Sequence, residues 1–288
     1  DVVDWARGGR RPQQVVAPVA GGLPRLARAL LDPEWRDTTP AAPPLPRTVW
    51  LPSTQVFVSR ARAGDPSGLT LAAKGGTNGE SHNHKDLGSF IVAADGRPLL
   101  VDVGKPTYSR QTFGPERYGI RAMQSAWHNA PAPHGLEQGE GSSYDARVTS
   151  APAPTAGETA EPAAPLELDL TGAYPLAAGE EWRRSLCLAS AERVEITDSW
   201  RLRPAASAPA GWITLVAAGE VRLSAGRVIV SAEGRSIAVR VEGLVPESEE
   251  WSLEDAELAA VWGARLTRLR YPVPAAVGTL TTVVELLR

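Results

Sequence analysis

The run Ser81-His82-Asn83-His84-Lys85-Asp86-Leu87-Gly88-Ser89-Phe90 gathers the side chains best suited to chemistry. The 288-residue sequence has four histidines, His82, His84, His128 and His134, and all of them fall between positions 82 and 134. A His-x-His pair on extended chain turns both rings to one side, because side chains alternate with period two, and neutral imidazole is the commonest metal ligand. Asp102, in Leu99-Leu100-Val101-Asp102-Val103-Gly104, adds an oxygen donor, and His128, in Trp127-His128-Asn129, a further nitrogen. One carboxylate with two imidazoles suits zinc, with water or substrate free to take a fourth position.

Taken alone, the pair is also compatible with two surface histidines in a loop. A cupin places Gly-x5-His-x-His ahead of a glutamate ligand three or four residues on; Gly76 to His84 fits the first part, but Gly88 and Ser89 stand where the glutamate belongs. A metallo-β-lactamase-like site needs His-x-His-x-Asp-His, and Leu87 replaces its last ligand.

Three motifs in order, His82-x-His84-x-Asp86-x-Gly88-Ser89-Phe90, Leu100-x-Asp102-x-Gly104 with Tyr108, and Ser125-x-x-His128-Asn129, resemble the core of the heparinase II/III-like polysaccharide lyases. Arg183-Arg184-Ser185-Leu186 and Val194-Glu195-Ile196-Thr197-Asp198 extend the resemblance over roughly residues 48 to 288. It implies that His82 lies in a catalytic cleft and that His84, Asp102 and His128 hold one structural zinc ion. Asp86 and Asn129 are then expected to orient the ligand rings from behind. The family's large helical toroid, which supplies a catalytic tyrosine and an Asn or His, is almost absent from this chain, so a helical domain of the same protein is an expected partner.

Length and a 43% hydrophobic content allow a sizeable core, in one large β domain or two smaller ones. A net charge of −3 argues against nucleic acid as a partner. Between residues 74 and 121 the balance reverses, with seven Lys/Arg against five Asp/Glu, a modest surplus that favours an anionic ligand. The single cysteine, Cys187, excludes an intrachain disulfide and reads as a small core residue. No run approaches the ~18 apolar residues of a membrane span. The chain starts at Asp1 with no signal segment and reads as a piece of a longer protein; an extracellular or periplasmic location follows from the resemblance alone.

The elements that must position these residues are mostly strands. Residues 1–46 read as a separate N-terminal segment: one short amphipathic helix on Leu23, Leu26, Ala27, Leu30 and Leu31, the remnant of a helical domain, then a Pro-rich linker over 37–46. From 47 to 288 the pattern predicts an all-β fold, a many-stranded antiparallel β-sandwich. Strands are expected at Thr48–Leu51, Thr54–Arg60, Leu69–Lys74, Ser89–Ala93 and Leu99–Val103, the last two joined by an Asp95-Gly96 type I′ turn. An ideal register would pair Asp102 with Ser89, so a chain reversal or bulge near Gly88 is required to bring His84 to Asp102. Residues 104–142 lack periodicity and read as a functional loop region, and 151–165 as a surface insertion. Further strands are expected around 194–202 with Asp198 a structural acceptor, at Val228–Ser231 and Ile237–Val241 around Glu233-Gly234, at Val261–Leu269 and at Leu280–Leu287. Seven acidic residues and no basic ones between Arg240 and Arg265 read as a solvated face.

The implied function is the metal-binding sandwich portion of a lyase that cleaves uronic-acid-containing glycans, such as a glycosaminoglycan or alginate, by β-elimination. His82, Tyr108 and Tyr118 are the catalytic candidates; Lys105, Arg117 and Arg121 are the candidates for holding an acidic polysaccharide or oligosaccharide. The alternative is a non-catalytic carbohydrate-binding or scaffold sandwich with a structural metal, followed by a cupin-like metalloenzyme. Without the toroid, this chain alone is expected to be inactive.

Overall fold

Runs of alternating apolar residues, cut every few positions by Gly, Pro or Asp-Gly, build two nine-stranded antiparallel sheets packed as a sandwich. The computed structural model describes residues 45–154, 163–204 and 209–288, with Leu31 and Pro33. Apart from Leu31, the helix expected over residues 23–31 lies outside the described residues, as do most of the Pro-rich linker and the centre of the 151–165 insertion.

In chain order the strands are β1 (Thr48–Leu51), β2 (Val56–Arg62), β3 (Asp65–Lys74), β4 (Gly76–Asn78), β5 (Phe90–Ala94), β6 (Arg97–Leu100), β7 (Pro131–Pro133), β8 (Gly141–Ser150) and β9 (Leu166–Asp169). They continue with β10 (Glu181–Ser190), β11 (Arg193–Arg201), β12 (Gly211–Ala218), β13 (Glu220–Ser224), β14 (Arg227–Ala232), β15 (Arg235–Val241), β16 (Glu247–Ser252), β17 (Arg265–Val273) and β18 (Val277–Leu287). The first sheet runs β1-β2-β3-β5-β6-β12-β17-β16, with β7 also beside β12; the second runs β13-β14-β15-β18-β11-β10-β9-β8-β4.

Period-two burial specifies which face each strand turns inward. Along β11 the buried residues are Val194, Ile196, Asp198 and Trp200, and their neighbours are partly exposed. They meet Phe57, Leu69, Leu71 and Val92 of the first sheet in the main core. Asp198 interrupts this apolar row as a structural acceptor. Its carboxylate and the guanidinium of Arg184, both fully buried, form a two-pronged ion pair at 2.9 Å per contact, and Trp182 Nε1 donates to the same carboxylate at 2.7 Å. The remaining Arg184 nitrogen donates across the sandwich to Gly88 O at 2.8 Å and Asn129 O at 2.7 Å. One buried cation thereby fastens the second sheet to both loops that bear histidines.

Two expectations need correction. Val261 and Trp262 belong to a short helix, α1 (Ala256–Trp262), and the strand begins only at Arg265. The helix starts because Asp255 accepts from Glu257 N and Leu258 N, each at 3.0 Å, ahead of an Ala/Glu/Leu run, and it stops at Gly263, whose φ is +81°. Cys187 is not in the core. Trp182, Arg184, Leu186 and Leu188 are the buried residues of β10, which leaves Cys187 on the outward parity, half-buried.

A second, smaller core lies on the other face of the first sheet. Val101, Val103, Ala122, Trp127, Val216, Ala218, Leu253, Leu258 and Leu266 bury one another there. This cluster holds residues 104–130, four short 3₁₀ turns without a strand partner, against the sheet. Among the described residues no helix is long and apolar enough to cross a membrane.

Candidate metal centre and the exposed aromatic corner

Asp102 reaches the centre through a hairpin whose turn residues, Asp95 (φ +46°) and Gly96 (φ +81°), have the positive φ of a type I′ turn. Ladder pairing runs Ala94 with Arg97 and Ala93 with Pro98, then shifts to Val92 with Leu100. Pro98 has no N–H to give the ladder, and the bulge there takes up one residue. The chain reversal needed near Gly88 is present as well. Ser89 N donates to Asp86 O at 3.0 Å, and Gly88 sits at φ +74°, where a Cβ would meet Leu170 Cδ1 at 2.7 Å. Only glycine satisfies both the backbone and the packing at that point.

His84 precedes this reversal, Asp102 follows β6 by two residues, and His128 caps the 3₁₀ turn Ser125–Trp127. One ligand-type atom from each lies within 4.8 Å of the others. The His84 and His128 rings are tilted at 48° with centroids 5.4 Å apart. His128 Nδ1 is 2.9 Å from Asp102 Oδ2, and its Nε2 is buried with no hydrogen-bond partner among the described residues. Asp102 Oδ1 accepts from Gly104 N at 2.9 Å.

The electrostatics of His84 and Asp102 suit a cation site. Burial and the neighbouring His128 push the His84 imidazole down to about 4, so it is neutral at ordinary pH, the form that ligates metal. Burial alone would raise the Asp102 carboxyl, but the charge and hydrogen bond of His128 outweigh it and hold the carboxyl well below the usual range. Burial would lower His128, and the Asp102 carboxylate outweighs that in turn, so its basicity is raised. Two imidazole nitrogens and one carboxylate oxygen fit a borderline-soft divalent ion. In a tetrahedral zinc site, bonds of about 2.0–2.1 Å put neighbouring donors roughly 3.3 Å apart, a spacing that three atoms within 4.8 Å reach by small side-chain rotations.

His82 does not share this environment. The expectation that both rings point to one side fails because the loop is not extended: His82 has φ +59°, a left-handed conformation that costs a residue with a Cβ about 1 kcal/mol or more. Its ring is exposed, parallel to Tyr108 (centroids 6.3 Å, 8°) and edge-on to Phe113 (6.4 Å, 88°). Lys105 Nζ lies 5.0 Å from the Tyr108 ring and 2.5 Å from Glu257 Oε2.

The other expected site residues have partners of their own. Arg117 donates to Asn83 O and to Thr112 O, and Tyr118 OH donates to Asn83 Oδ1 at 3.1 Å, so both grip the residue between the two histidines. Arg121 lies 5.2 Å from the Trp127 and Trp251 rings and 4.0 Å from Glu249. Asp86 takes Lys74 Nζ at 2.9 Å. Asn129 is fully buried and touches backbone: its Nδ2 donates to Phe90 O and Val101 O, and its Oδ1 accepts from Val216 N. It ties the chain beside Asp102 and His128 to β5 and β12. His134 stands apart, its Nε2 2.7 Å from Glu180 Oε1. Asn83 and Phe113 were not singled out from the sequence. The only signal for Phe113 was a lone large apolar residue in the polar stretch Ser109-Arg110-Gln111-Thr112-Phe113-Gly114.

A family model described as Heparinase II/III-like, C-terminal, matches residues 44–264. Among solved structures, a heparinase III gene product superposes with a TM-score of 0.65 at 17% identity, covering 91% of this chain and 40% of that one. The heparan sulfate lyase HepC from Pedobacter heparinus gives 0.62 at 16% identity, covering 98% of this chain and 42% of its own. Identities this low speak for the fold alone. The chain spans about two fifths of the length of these solved proteins. No curated protein matches it.

Proposed function

We propose, from the premise that the chain belongs to the heparinase II/III-like C-terminal family, that it is the metal-binding sandwich portion of a lyase acting on uronic-acid-containing glycans by β-elimination. The observation that carries this reading is the divergence of two histidines two residues apart: His84 turns inward to within 4.8 Å of Asp102 and His128 donors, while His82 turns outward onto exposed aromatic rings. A metal held below and a free imidazole above is an arrangement with separate structural and catalytic parts.

In β-elimination a base removes the proton at C5, beside the carboxylate, and the O4 substituent leaves with a proton from an acid. Negative charge builds on the carboxylate meanwhile, so donors fixed in place beforehand lower the barrier. His82 is placed to donate to that carboxylate or to move a proton, since its ring is exposed beside Tyr108 and an imidazole can donate from one ring nitrogen and accept at the other. Tyr108 stands beside it, and Lys105, paired with Glu257 on the surface, would exchange that partner for the acidic chain. Arg117 and Tyr118 act through Asn83, which fixes the directions of His82 and His84. His84, Asp102 and His128 would hold zinc, which supplies, when bound, a fixed positive charge that ties three distant segments together.

The full set of acid and base comes from this sandwich and a helical domain together. The unsaturated product absorbs in the ultraviolet, so alginate, heparan sulfate and hyaluronan test the reading directly. A longer protein that includes the helical domain is expected to cleave at least one of them. Failure on every uronate polymer with metal bound would favour a non-catalytic carbohydrate-binding sandwich.

A further inference from the structure

Phe113 is 68% exposed and Tyr108 41% exposed, and their rings meet edge-to-face at 5.4 Å and 82°. A lone exposed apolar residue is ordinary, but two large rings in contact make an apolar surface whose burial by a ligand is favourable. Phe113 is not there by slack in the chain. Its 3₁₀ turn, Gln111–Phe113, is anchored by the fully buried Thr112, whose Oγ1 accepts from Ser109 N at 2.9 Å and whose carbonyl accepts from Arg117. With Thr112 held inside, the next side chain is directed outward.

The two rings and the imidazole form a corner: His82 and Tyr108 lie parallel, and Phe113 stands perpendicular to both. The His82 nitrogens have no hydrogen-bond partner among the described residues, and the backbone beneath them is held at φ +59°. Lys105 flanks Tyr108, and Arg110, two residues beyond Tyr108, is exposed. An apolar wall, a free imidazole and flanking cations match a pyranose ring that carries an acid on its edge and C–H bonds on its face.

We propose that Phe113 and Tyr108 form a stacking platform for a sugar ring of the acidic glycan, continuous with the position served by His82. This rests on the lyase reading above and adds a residue that positions the glycan through its apolar face. A flat, continuous apolar patch would suit the helical domain as occupant; two perpendicular rings around a polar group suit a sugar.

The test is calorimetric titration of the chain with heparan sulfate and alginate tetrasaccharides at about 0.05 M and about 0.5 M salt. Phe113→Ala is expected to weaken binding of at least one of them roughly tenfold at both salt levels, and Phe113→Trp to restore it. Lys105→Ala is expected to weaken binding mainly at low salt. Melting temperature and metal content should stay the same in all three variants, because these side chains are not part of the core. The platform is overturned if Phe113→Ala binds as the wild type does, or if the wild type binds neither saccharide. Unchanged saccharide affinity together with weaker attachment of the helical domain would assign the rings to that domain. The lyase reading is judged separately, by ultraviolet product, so Phe113→Ala with unchanged affinity in an active lyase removes the platform alone.

Discussion

His82 and His84 show how much one backbone angle decides. The resemblance gives His84 to the metal and His82 to the cleft, while period-two logic sends both rings the same way; a positive φ at His82 sends them apart. The residue type signals this only weakly, although His134 adopts the same region at φ +52°, and the contacts that surround the turn, from Arg117 and Tyr118 to Asn83, come from 34 and 35 residues away. The grouping of His84, Asp102 and His128 was legible through the order of three motifs that resemble the family's core, with residue types that suit one metal ion. His84→Ala and Asp102→Ala are each expected to reduce bound metal at least tenfold and to lower the melting temperature by several degrees, read by elemental analysis and calorimetry. A second residue-scale expectation concerns Glu180. Burial would raise its carboxyl, but hydrogen bonds from Arg203 N, His134 and Ala177 N outweigh this and bring it from 4.5 to about 2. A depressed folded-state pKa stabilises above the unfolded value and is lost as pH falls through the folded one. Glu180 should therefore contribute stability at pH 6 that declines below about pH 4.5 and is gone below about pH 2. Denaturation of wild type and Glu180→Gln across that range would show a gap that closes towards acid; a constant gap would contradict it.

At the scale of elements, strands were legible and irregular segments were not. Alternation in β11 and the Asp-Gly and Glu-Gly turns mark strands and hairpins locally, since side-chain period and positive φ are properties of a few adjacent residues. The 104–130 segment takes its shape from Trp127, Leu258 and Val216, which are remote in sequence, and α1 was hidden because Val261 and Trp262 read equally well as strand. Arg184 is where these elements meet. Replacing it with Leu leaves the Asp198 carboxylate buried beside Trp182 Nε1 alone and removes the donors to Gly88 O and Asn129 O. The expected loss is about 3–5 kcal/mol in chemical denaturation, with weaker metal binding because both histidine-bearing loops lose their anchor. A loss below about 1 kcal/mol would mean the pair is not the fastener described.

At the scale of the whole molecule, the proposed lyase reading makes the sandwich one wall of a site. His82, Tyr108 and Lys105 lie on the exposed side of a loop cluster whose inner side gathers the candidate metal ligands, and elimination needs a base and an acid placed around one sugar to within about 1 Å. This chain alone is therefore expected to release little or no unsaturated product. The most direct test is His82→Ala in a longer protein that carries the helical domain, with metal content and ultraviolet product measured on the same preparation. The account predicts about one equivalent of metal, an unchanged melting temperature and a rate at least ~100-fold lower. Full activity in that variant, or loss of metal along with activity, would contradict the division of labour between His82 and His84.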